Sequence, residues 1–157
     1  MKEEKIVEFH LPTYKEIPSV GLYLDQTSKY INECLKDLDD MEITNSMISN
    51  YVKKDLIANP VKKQYGRDQI AYLIFIAMTK SSLSLDDVKN LFDLQKQEYS
   101  CEEAYTYFRD LFEKYYDADG KEIKKKENGI KGLLEDIVVN MVSGIRLHRR
   151  LKEAFES

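Results

Sequence analysis

Ten consecutive residues, Gln69 to Met78, read QIAYLIFIAM. A helix that is apolar on nearly every side has no face to give to water, so this segment must be the buried centre of the fold. It is too short to cross a membrane, and nowhere does the chain hold a run of about 18 apolar residues. The rest of the chain has to pack around it. Only 6 Gly and 3 Pro are spread over 157 residues, which argues against a many-turned β-sandwich or barrel and for long helices as the covering elements. The opening residues, MKEEKIVEFH, are acidic where a signal peptide would be basic and then apolar. Two cysteines, Cys34 and Cys101, make neither a disulfide framework nor a zinc cluster. With only His10 and His148 beside them, a metal site is not expected. These features predict a soluble cytoplasmic protein, all-α, without a cofactor.

Helix signals recur along the chain. Before Gly21, the pairs Leu11-Pro12 and Ile17-Pro18 predict an extended or turn-like lead, because the residue before proline is pushed out of the α region. Leu22, Leu24, Ile31, Leu35 and Leu38 form an apolar stripe that predicts a first helix to about Asp39. After a short turn, Thr44 is a good N-cap for a second helix to about Lys54, apolar at Met47, Ile48, Tyr51 and Val52. Pro60 and Gly66 break the next stretch, and the central helix follows over about 67–80. Ser84 with Asp87, and Ser100 with Glu103, mark the starts of two more helices, the second pair being the better capping box. Asp119-Gly120 signals a turn. A last helix is expected from about Asn128 to Phe155.

Charge is distributed unevenly. The net charge is −4, yet residues 44–80 hold six Lys/Arg against two Asp/Glu, and acidic stretches flank them on both sides. A basic island of this kind is a local footprint for a polyanion. The second helix offers short polar side chains on its outer face: Asn45, Ser46, Ser49, Asn50 and Lys53. Two helices with a tight turn between them, then a basic loop and a buried helix, match a winged helix-turn-helix plan. In that plan the second helix enters the major groove and the loop touches the backbone.

Three blocks resemble the MerR family of transcriptional regulators. Ile48-Ser-Asn-Tyr51-Val-Lys-Lys-Asp55-Leu56-Ile57 is similar to that family's recognition helix and exit, Tyr65-Gly-Arg-Asp-Gln-Ile70 to the segment after its wing, and Leu83-Ser84-Leu85-Asp-Asp-Val88 to the next helix start. Ser49 stands where the family has arginine and Asn50 where it has a first tyrosine, while Lys63 aligns with a phosphate-contacting arginine. Asp55 replaces the family's end glycine, so it either takes a left-handed conformation or ends the helix differently. The whole chain also resembles a family of uncharacterised bacterial helix-turn-helix proteins, through Leu11-Pro-x-Tyr14-x-Glu16-Ile17-Pro18, Gly21-Leu-Tyr-Leu-Asp-Gln26 and Ile43-Thr-x-Ser46.

The resulting expectation is a winged helix-turn-helix domain over residues 22–97, after an extended lead over 1–21. A C-terminal helical pair over 98–157 would serve dimerisation or effector binding. The function expected is sequence-specific binding of double-stranded DNA as a transcriptional regulator, with no chemistry performed. Thr44, Asn45, Ser46, Ser49, Asn50, Lys53 and Lys54 would face the major groove. Lys62, Lys63 and Arg67, on a wing over 58–67, would hold phosphates. The alternative is a protein-protein interaction adaptor that retains the fold without binding DNA. Ile130, Leu134, Ile137, Met141, Ile145, Leu151 and Phe155, widened by Leu133, Val138 and Val142, form a seam expected to make a homodimer. Tyr105, Phe108 and Phe112 form an aromatic stripe; it reads first as core, with a small apolar effector as the other use. Asp117-Ala-Asp119-Gly120 is no calcium loop, because Lys126 would occupy its bidentate position.

Overall fold

The computed structural model describes residues 9–118 and 127–156; the Asp119-Gly120 turn and the lysines at 124–126 lie outside them. Six α-helices make up the described chain: α1 Leu24–Leu35, α2 Asn45–Lys53, α3 Arg67–Thr79, α4 Leu85–Glu98, α5 Cys101–Asp117 and α6 Gly129–Glu156. Two isolated β-bridges are the only extended pairing among these residues. The all-α expectation holds. α3 is the central helix, with Ile70, Ala71 and every residue from Leu73 to Thr79 buried. Removing each such large side chain from water stabilises the fold by roughly 1.5–3 kcal/mol, so this helix anchors the rest.

The expected helix starts are used. Ser84 Oγ accepts the Asp87 N–H at 3.1 Å. Ser100 and Glu103 form a complete reciprocal box, at 3.1 and 3.2 Å. Thr44 Oγ1 accepts the Met47 N–H at 3.1 Å. At the end of α2, Asp55 takes the left-handed conformation, with φ 61°. The Leu56 N–H then reaches Tyr51 O at 2.9 Å and the Asp55 N–H reaches Val52 O at 3.1 Å. That is a Schellman stop, sealed by the buried pair Tyr51 and Leu56.

The connection between α1 and α2 differs from the expected tight turn. α1 ends at Leu35, four residues early, and residues 36–44 separate the helices. The cause is burial. Leu38, Met41 and Ile43 all enter the core, which a continuing helix could not arrange, and Asp40 reverses the chain at φ 62°. The Asn32 side chain fixes the far end by accepting the Ile43 N–H at 2.8 Å and donating to Ile43 O at 2.9 Å.

The lead is a fastened strap. From Phe9 to Ile17 it buries Phe9, Leu11 and Ile17 and includes a single 3₁₀ turn at Tyr14–Glu16. Tyr105 donates its hydroxyl to Pro12 O at 2.6 Å, and Arg109 Nε donates to Leu11 O at 2.9 Å. Buried side chains from Phe9 to Ile145 form one cluster, running across the 97/98 boundary without a break.

The apolar seam of α6 needs correction. Ile130, Leu134, Val138, Met141, Val142 and Ile145 are buried within the chain itself. A helix of 28 residues, about 42 Å at 1.5 Å per residue, covers its own domain with the first two thirds. Arg149 still ties the remainder to the domain by donating to Asp37 O at 3.3 Å. Leu147, Leu151 and Phe155 are exposed, at 57, 62 and 92%, and of the seam Leu133 is also exposed, at 48%.

Candidate nucleic-acid interface

The loop after α2 closes into the smallest possible hairpin. Val61 and Gln64 exchange two backbone hydrogen bonds, at 3.1 and 3.0 Å. The two residues between them, Lys62 and Lys63, both have positive φ, 52° and 64°. Positive φ at both central positions defines a type I′ turn, whose usual occupants are Asn and Gly. An L-residue with a Cβ pays roughly 1–2 kcal/mol for a left-handed conformation. Two exposed lysines therefore sit at the tip against local preference. Backbone strain of this kind collects at functional positions.

Long-range pairing holds the hairpin in place. Tyr65 N–H reaches Leu22 O at 2.7 Å and Leu22 N–H reaches Tyr65 O at 3.0 Å. The Tyr65 ring is buried beneath, and burial pushes its hydroxyl pKa up. Gln69, in the first turn of α3, accepts the Gly66 N–H at 2.6 Å and donates to Ala58 O at 2.7 Å. A groove of about 410 Å³ runs between the hairpin and α1, lined by Tyr23, Leu24, Asp25, Pro60, Lys63 and Tyr65. Asp25 also accepts a hydrogen bond from Asn45 Nδ2 at the first residue of α2. The start of α2 thus bonds the same residue of α1 that faces the hairpin across the groove.

The ten candidate residues divide by environment. Ser46, Ser49, Lys53, Lys54, Lys62 and Lys63 are exposed, Thr44 is an exposed cap, and Asn50 is half-buried with its side chain making no hydrogen bond among the described residues. Two are otherwise engaged. Asn45 is clasped between Asp25 and Ser28, whose hydroxyl donates to Asn45 Oδ1 at 2.7 Å. Arg67 turns inward: Nε donates to Ile17 O at 2.8 Å, a terminal nitrogen donates to Lys15 O at 3.1 Å, and the guanidinium lies 5.3 Å from the Tyr14 ring centre. Tyr23, half-exposed at the N-cap of α1, joins the groove unannounced. Its place depends on the pairing of Leu22 with Tyr65, which no local pattern signals.

The chain belongs to the DUF1836 family. That domain of unknown function matches residues 12–116, which takes in the strap from Pro12 onward, the hairpin, helices α1 to α4 and α5 up to Tyr116, and stops before α6. Comparison with curated proteins and with solved structures returned no match. Within the DUF1836 region the aromatic stripe of α5 is core. Phe112 is fully buried, its ring centre 5.7 Å from Phe9 and 6.4 Å from Phe108. The cavity beside Tyr105 and Phe108 measures about 40 Å³, small against the roughly 150 Å³ of an apolar cavity that holds benzene. Among the described residues no helix is long and apolar enough to cross a membrane, and no cluster of three metal-binding side chains occurs.

Proposed function

We propose that this DUF1836 chain is a DNA-binding transcriptional regulator built on a plan similar to the MerR winged helix-turn-helix. The observation that carries the reading is the hairpin tip, where Lys62 and Lys63 stand exposed in left-handed conformations. A turn placed only to reverse the chain would favour Asn-Gly; two lysines there suit phosphate contact. The exposed Ser46 and Ser49, with Asn50 beside them, supply a short-side-chain face on α2 that can approach base edges, and an Asn amide pairs bidentately with adenine. Arg67 and Asn45 drop out of the contact set because each is engaged within the fold. The chain would act as a homodimer through Leu147, Leu151 and Phe155, spaced i, i+4, i+8 beyond the covered part of α6.

The test is anisotropy titration on a selected duplex and on random duplexes at several salt concentrations. Asn50→Ala should cost roughly 1–3 kcal/mol on the selected site and much less on random DNA. Lys63→Ala should weaken both similarly and lower the salt slope by about 1. Unaltered binding by both variants would move the DNA surface elsewhere, and absence of salt-dependent binding by the parent chain would leave a protein adaptor as the better reading.

A further inference from the structure

On the side of α5 facing the start of α6, a groove of about 390 Å³ is lined by Tyr99, Tyr107, Glu102, Glu103, Asp110 and Lys131. The Lys131 ammonium stands inside it, 5.2 Å from the ring centre of Tyr107 and 5.8 Å from that of Tyr99. Both distances lie within the range at which an aromatic face attracts a cation. Among the described residues no carboxylate comes within 4 Å of this ammonium, so two rings, rather than an ion pair, hold it. Three carboxylates line the groove against this single cation. Glu103 accepts the Ser100 N–H and Asp110 touches Arg109 at 3.4 Å, while Glu102 has no cation within ion-pair distance among the described residues. The Tyr107 hydroxyl is pushed up to about 12, first by burial and then by the neighbouring Glu135 and Glu127. Aromatic walls, excess negative charge and volume beyond what one lysine head fills are the chemistry that recognises an organic ammonium.

We propose that this groove binds a small organic cation bearing at least one ammonium group, and that Lys131 is the chain's own occupant of the cation position. A ligand would displace the Lys131 head and release its hold on the first turn of α6. The site lies on α4, α5 and α6, apart from the hairpin, and the inference stands whether or not the chain binds DNA.

Isothermal titration calorimetry at constant ionic strength tests it, with spermidine and tetramethylammonium as probes. The parent chain should bind one of them, and Lys131→Gln, which empties the cation position and adds a net negative charge, should bind it about tenfold more tightly. Tyr107→Leu should weaken binding by at least about fivefold, since it removes one face of the cage. Circular dichroism checks that each variant keeps its helices, and Tyr99→Leu serves as the second cage variant if Tyr107→Leu fails to fold. No heat from either probe with the parent or Lys131→Gln at roughly ten millimolar would overturn the proposal. So would binding that the tyrosine variants leave unchanged, because general attraction to an acidic surface would then account for it.

Discussion

Gly21 and Gln64 touch so closely that a Cβ added at Gly21 would lie 2.6 Å from Gln64 Cβ. No glycine-specific backbone angle is required there; the constraint is space between the segment leading into α1 and the hairpin. Gly21→Ala must therefore push the hairpin away from Leu22 and strain its two backbone bonds. The expected loss is about 1–3 kcal/mol by denaturant unfolding, the usual range for overpacking. An unchanged midpoint would mean that the hairpin is free to shift.

Replacing Lys62-Lys63 by Asn-Gly separates stability from the proposed function. The turn would gain residues suited to positive φ, and stability should rise by roughly 1–2 kcal/mol. Affinity for random duplex DNA should fall, and the salt slope should decrease by about 2 because two phosphate contacts are lost. A stabilised variant with unaltered DNA binding would remove the hairpin from the interface.

Arg67→Ala should behave as a structural change. Two hydrogen bonds from a charged donor and a ring contact vanish, leaving Ile17 O and Lys15 O without their partner. Unfolding measurements should show a loss of about 2–3 kcal/mol. Measured where the variant is fully folded, DNA affinity should stay near the parent's; a drop equal to that of Lys63→Ala would return Arg67 to the phosphate-contacting set.

Stability should decline above about pH 9. Burial, and then Asp68, push the Cys101 thiol from 9.0 to about 12, and burial is likewise the first cause raising Tyr72 from 10.0 to about 12. These groups lose protons more readily in the unfolded chain, so that chain binds fewer protons over the window from about 9 to 12 and gains on the folded state as pH rises. Below pH 9 this contribution is intact. Thermal melts from pH 7 to 11 should show a falling Tm, shallower in Cys101→Ser; a flat profile would contradict the half-buried setting of both groups. At pH 8 iodoacetamide should label native Cys101 far more slowly than the unfolded chain.

Leu151→Glu combined with Phe155→Glu tests the dimer. Both side chains are exposed beyond the covered part of α6, so the melting temperature at low concentration should hardly change. Sedimentation at tens of micromolar should shift from dimer to monomer. A parent chain already monomeric there would dispose of the dimer without touching the fold.

Short-range chemistry was written legibly in the residues. A ten-residue apolar block can only be central, and a Ser or Thr three residues before a free N–H caps a helix; for Asp55 the residues left two endings open, and the structure takes the left-handed one. Each depends on neighbours within one or two turns. The tertiary structure alone decided which partner a side chain meets when several are compatible with its chemistry. Arg67 suits a phosphate as well as the carbonyls of Lys15 and Ile17, some fifty residues away, and only the path of the strap selects the carbonyls. The α6 seam is equally apolar against a second copy or against α5. Nothing in its periodicity chooses between them, because hydrophobic attraction has no direction and the nearest apolar surface in the folded chain takes it. The Lys62-Lys63 turn makes the same point in reverse: its local preferences argue against positive φ, and the two-residue gap left by the pairing of Val61 with Gln64 imposes it.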